Sequence, residues 1–174
     1  MLQPLFPQLR QVGLSGVDET PPVGTVGFQV EDICRRKAQA VDSLPYDLVI
    51  VADTMLADPE HQHLSIGKPK DKQQATQMLN RLCGRIHEVW TATGIFWQGS
   101  WTFWCESAQV SIPLLSLEEL SFLLESASWE GKAGAYDLAG QMGQFAKLVG
   151  GEISTVLGIA GSAMAMLSDI AEKK

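Results

Sequence analysis

Two residues of this chain have the types and spacing for phosphate chemistry. Asp53, in Ala52-Asp53-Thr54, ends an apolar run, and Lys68, in Gly67-Lys68-Pro69, waits across a polar loop. A carboxylate gives a divalent ion hard oxygen ligands and can take a proton from water. A lysine offers a phosphate a compact point charge. Lys37 extends the group. It falls on the apolar stripe of a helical segment, between Cys34 and Val41, where a lysine either snorkels or faces an anion. Lys132, in Gly131-Lys132-Ala133-Gly134-Ala135-Tyr136, sits among small residues that let a backbone approach a ligand or make an ordinary turn.

Other polar residues carry weaker signals. Arg85 and His87 flank the start of a strand and read as a surface charge and a satisfied histidine. His61 and His63 have no further His or Cys at ligand spacing, so they read as a solvated loop. Arg35 and Arg36 fall off the apolar stripe and read as exposed charge. No GxSxG, Walker, GxGxxG or HExxH pattern is present. Metal-assisted attack of water on a phosphoanhydride therefore fits better than a covalent nucleophile.

The positioning elements follow from periodicity. Val30, Ile33, Cys34, Ala38 and Val41 mark a helix over Val30–Leu44, ended by Pro45. Asp47–Ala52 reads as a strand buried on both faces, with Asp53 at its C-terminal end, where ligands collect in open α/β sheets. A turn-capping aspartate is the plainer reading of that position. Asp71–Cys83 reads as a second helix with Gly84 just past its end. Ile86–Trp97 and Trp101–Ile112 read as strands joined at Gln98-Gly99-Ser100. Ser116-Leu117-Glu118-Glu119 is a capping box opening a third helix to about Ser126. Gly131–Gly151 is punctuated by glycine, and Gly158–Lys174 reads as an amphipathic closing helix. The expectation is one domain, 1–174, of α/β class.

Charge and composition narrow the function. A net charge of −7 argues against binding a nucleic acid polymer or an anionic membrane. Three cysteines, Cys34, Cys83 and Cys105, without CxxC spacing suit reduced thiols in a cytoplasmic protein. Met1–Arg10 has neither the charged start nor the apolar run of a signal peptide. No apolar window is long enough to span a membrane.

Taken in order, these fragments resemble the Maf family of nucleoside triphosphate pyrophosphatases. The matching residues are Val17-Asp18-Glu19-Thr20, Arg36-Lys37-Ala38-Gln39-Ala40-Val41, Ala52-Asp53-Thr54 and Gly67-Lys68-Pro69. They continue through Leu82-Cys83-Gly84-Arg85, His87, Val89, Thr91, Lys132-Ala133-Gly134-Ala135-Tyr136 and Val156-Leu157-Gly158. The resemblance implies an elongated mixed sheet with flanking helices, like that of inosine triphosphate pyrophosphatases, with two lobes around a cleft. It implies a homodimer that uses Mg²⁺ or Mn²⁺ to convert a nucleoside triphosphate to a monophosphate and pyrophosphate. Asp53 is then the metal ligand or base, Glu19 the second acidic residue at the metal, and Lys37 and Lys68 the phosphate lysines. The family's Ser-x-Arg-Arg falls on Leu2-Gln3-Pro4-Leu5, which carry none of those residues, leaving Arg10 or Arg85 as replacement cations. The family's later Gln falls on Ala139, with Gln141 two positions on. The alternative to an active enzyme is a degenerate relative that binds nucleotide without efficient turnover.

Overall fold

The computed structural model describes residues 1–41 and 45–173. The first helix, α1 (Val26–Val41), buries Val26, Val30, Ile33, Cys34, Ala38 and Val41 along one stripe. It starts a turn earlier than its periodicity predicts because Thr25 Oγ1 accepts the Phe28 N–H at 3.3 Å, as an N-cap does. Its expected last residues, 42–44, lie outside the described residues.

The strand β1 (Leu48–Ala57) corrects the sequence reading of Asp53. Asp53 lies in mid-strand, opposite Ala92, not at a C-terminal end. The apolar run stops at Ala52, but backbone pairing does not, since Thr54, Met55 and Leu56 continue opposite Thr91, Trp90 and Val89. Nor is the strand buried on both faces. Most of its residues are only half-buried, with Val51, Leu56 and Ala57 fully covered.

After β2 (Ser65–Ile66) and α2 (Lys72–Leu82) come the long strands β3 (Arg85–Trp97) and β4 (Ser100–Ile112). Gln98 and Gly99 join them with φ of 52° and 81°, the positive values a two-residue hairpin turn requires. The helix α3 (Leu117–Glu125) carries the expected capping box between Ser116 and Glu119. The glycine-punctuated region forms two 3₁₀ turns, Ala133–Ala135 and Gln141–Gln144, and then β5 (Lys147–Gly150). A separate short helix, α4 (Ile153–Val156), precedes the closing helix α5 (Gly161–Glu172), which starts three residues later than expected.

The sheet runs β2-β1-β3-β4-β5. The α/β class holds, but every strand pairing among the described residues is antiparallel rather than mixed. Alternation along β1 turns Val51 and Asp53 toward α1, and Ala52, Thr54 and Leu56 to the other face. The α1 face packs Val30, Cys34, Ala38 and Val41 on Val51 and Ala92. The opposite face carries two apolar clusters. One joins Leu56, Val89, Val110 and Ile112 to α2, α3 and residues 133–146. The other joins Ile95 and Phe6 to Ala163, Leu167 and Ile170 of α5. No helix among the described residues is long and apolar enough to cross a membrane.

Candidate active site

The site begins with one ammonium between two carboxylates. The inner stripe of α1 brings Lys37 over β1, and its Nζ lies 2.6 Å from Asp53 Oδ1 and 3.0 Å from Glu19 Oε1. The Asp53 and Lys37 side chains are 13% and 14% exposed, while Glu19 is 53% exposed on the irregular segment before the helix. The cluster is therefore open on the Glu19 side and closed beneath.

Burial raises the Asp53 carboxyl above its ordinary range, outweighing the hydrogen bond and charge of Lys37 and the more distant charge of Lys68. Burial pulls Lys37 the other way, but the hydrogen bonds and charges of Asp53 and Glu19 together leave it raised and protonated. The result is a fixed cation beside a carboxylate with increased proton affinity, which suits a base for water. Cys34 lies beneath, and burial, with Asp53's charge, pushes its thiol up to about 12. It is not a nucleophile near neutral pH.

Lys68 lies in the loop that follows β2, and its charge acts on the Asp53 carboxyl. Ile66 pairs with Leu56, which ties the start of this loop to β1. Its side chain is exposed, whereas Pro69 is buried. The Gly67 carbonyl accepts the Gly134 N–H at 3.0 Å, so the glycine-rich turn backs the lysine loop. This is how Lys132–Tyr136 enters the site region. Lys132 itself pairs with Asp137 at 2.9 Å, and Gln141 accepts from Gln144 at 2.6 Å, so both use partners in their own segment.

Arg85 is not brought to the site. It binds Glu60 at 2.7 Å and donates to the Arg81 carbonyl at 2.5 Å. It stands at the far end of β3 from Ala92, the partner of Asp53, roughly 23 Å along the strand. His87 is buried and its Nε2 hydrogen-bonds Tyr136 Oη at 2.8 Å, but among the described residues its buried Nδ1 has no partner, so the reading as a satisfied histidine holds for one ring nitrogen only. Two features escaped the sequence reading. Arg36 is not simply exposed, since it bonds the carbonyls of Asp18 and Thr20. Beneath Asp53, on the other face, Thr54 bonds Thr91 at 2.9 Å and Thr91 donates to the Thr155 carbonyl at 2.6 Å. The alternating Thr91 and Thr93 in β3 were the available signal for that polar seam.

Residues 1–169 match the family model described as Maf-like protein. The chain belongs to the Maf-like family. Among curated relatives, the dTTP/UTP pyrophosphatase of Ruegeria sp. (strain TM1040) is 36% identical over 149 residues, covering 82% of this chain and 73% of the relative. That of Pelotomaculum thermopropionicum is 35% identical over 175 residues, covering 95% and 88%. That of Pyrococcus abyssi is 31% identical over 147 residues, covering 83% and 76%.

The donor set of this Maf-like chain fits a magnesium-type ion. No group of three or more His, Cys, Asp or Glu side chains gathers around one point among the described residues. Mg²⁺ is commonly held by one or two carboxylates, with phosphates and water completing its shell. Glu19 and Asp53 supply such a pair, and Lys37 marks the place where both hold one cation.

Proposed function

We propose that this Maf-like chain is a nucleoside triphosphate pyrophosphatase, cleaving a triphosphate to a nucleoside monophosphate and pyrophosphate with Mg²⁺ or Mn²⁺. The observation that carries the reading is the Lys37 ammonium held between Glu19 and Asp53. An acidic pair ready for a metal, with lysines beside it, is what charge neutralisation of a triphosphate requires. The names of the relatives make dTTP and UTP the first substrates to test.

In this reading Asp53 orients a water and takes its proton. The water oxygen bonds the α-phosphorus as the bond from that phosphorus to the bridging oxygen breaks, and pyrophosphate leaves. Glu19 and Asp53 would hold the metal, which when bound neutralises phosphate charge. Lys37 and the exposed Lys68 bind phosphate oxygens, stabilising negative charge that builds on the leaving group. The family resemblance adds the expectation of a cytoplasmic homodimer.

A second reading, nucleotide binding with little turnover, rests on the first residues. Leu2 and Leu5 pack with Phe6 against the α5 cluster, so the positions aligned with Ser-x-Arg-Arg serve as an apolar anchor. One experiment separates the two. Pyrophosphate release from dTTP and UTP is measured with Mg²⁺ or Mn²⁺, with excess chelator, and with Asp53→Ala. Metal-dependent release, lowered at least about 100-fold by Asp53→Ala, supports the enzyme. Absence of release with retained nucleotide binding supports the second reading.

A further inference from the structure

Glu19 must present its carboxylate to Lys37 and Asp53, yet residues 18–20 belong to no helix or strand. Among the described residues, the hydrogen bonds that reach this segment from elsewhere come from α1. Arg36 Nη1 donates to the Asp18 carbonyl at 2.9 Å and to the Thr20 carbonyl at 3.0 Å. These two carbonyls flank Glu19. The same guanidinium lies 3.6 Å from the Asp18 carboxylate and pairs with Asp32 one turn back on the helix. Asp18 Oδ1 in turn accepts the Thr20 N–H at 2.9 Å, closing a small turn with Glu19 at its apex. The next helix residue, Lys37, takes the Glu19 carboxylate itself. Adjacent residues on α1 thus hold the backbone and the side chain of a single glutamate.

We propose that Arg36 is a positioning residue that fixes the backbone around Glu19, so that this carboxylate meets Lys37 and the metal. Its functional consequence rests on the pyrophosphatase reading; the clamp itself does not. Arg36 acts through Glu19. A lysine at this position keeps the charge but lacks the planar fork that serves two carbonyls and two carboxylates together.

The test is a cycle of wild type, Arg36→Gln, Glu19→Gln and the double variant, with Arg36→Lys as the conservative replacement. Arg35→Gln is the control, since Arg35 pairs with Glu31 and covers the Phe103 ring. Three quantities are read: kcat and KM for dTTP, Mn²⁺ affinity without turnover, and cleavage after Glu19 by a glutamate-specific protease. Arg36→Gln is expected to speed cleavage after Glu19, weaken Mn²⁺ binding and lower kcat/KM about 10-fold. Arg36→Lys restores part of this, and Arg35→Gln changes none of it. In the Glu19→Gln background the effects of Arg36→Gln on Mn²⁺ binding and kcat/KM disappear. Equal losses in both backgrounds, or no loss in either, overturn the proposal. If wild type releases no pyrophosphate, the pyrophosphatase reading fails, while protease cleavage and Mn²⁺ titration still uphold or overturn the clamp.

Discussion

At the residue scale, Lys37 occupies the position a metal would share. Its ammonium is the cation already bridging Glu19 and Asp53. On the proposed reading, a metal would compete with this ammonium for the two carboxylates until phosphate oxygens gave the lysine another partner. Lys37→Met is expected to tighten Mn²⁺ binding several-fold in the absence of nucleotide, as read by titration of free Mn²⁺. The same variant should lower kcat/KM for a triphosphate by about 10- to 100-fold, the effect of losing one charge-assisted contact. Unchanged Mn²⁺ affinity would mean the metal does not use this pair. Lys37 was legible from the sequence as a charge on an apolar stripe, because helical periodicity fixes which face a residue takes. Its pairing with Glu19 was not, since Glu19 is brought in by an irregular segment whose path no periodicity encodes.

At the element scale, the turn behind Lys68 is the most constrained part of the site. Gly134 has φ of 69°, and a Cβ there would lie 2.3 Å from Leu56 Cδ2 and 3.3 Å from Leu82 Cδ1. Leu56 is in the paired part of β1 and Leu82 is in α2, so neither can retreat freely. Gly134→Ala is expected to cost about 1–3 kcal/mol from positive φ and overpacking. Thermal melting checks that loss. A rise in KM for the triphosphate, measured well below the melting point, checks the bond from Gly134 to Gly67 that sets the Lys68 loop. The elements around this turn were unevenly legible. The second helix, the β3–β4 hairpin and the α3 capping box follow their sequence signals within a residue or two, because each is fixed by local period and caps. The length of β1 was not legible, because its second half is held by cross-strand pairing with Val89–Thr91 rather than by a continuing apolar run. Short β2 and β5 have too few residues to show a period, and they exist because neighbours pair with them.

For the whole molecule, His87 reports whether the hairpin and the glycine-rich segment stay docked. It is 2% exposed on β3, and its Nε2 is bonded to Tyr136 in the turn that follows Lys132–Ala135. Burial lowers the histidine to about 4 from its ordinary 6.5 and raises the tyrosine, so both stay neutral near pH 7. Unfolding exposes the imidazole, and the unfolded chain then binds more protons than the native one between these two values. Stability therefore falls as pH drops from about 6.5 to about 4 and gains no further loss from this group below that. The full effect is on the order of 3 kcal/mol. Other carboxylates act elsewhere or with the other sign. Asp137 is lowered by its bonds to Lys132 and backbone amides despite partial burial, so its contribution is lost only below the ordinary aspartate range. Asp53, raised by burial, favours the native state as pH falls just above 3.8 and partly offsets His87 there. His87→Gln keeps an amide to bond Tyr136 without a titrating ring. Urea unfolding of wild type and His87→Gln at a series of pH values should show a difference in slope confined to the interval between about 4 and 6.5. Parallel curves for the two proteins across that interval would show that the imidazole gains access to water in the native state.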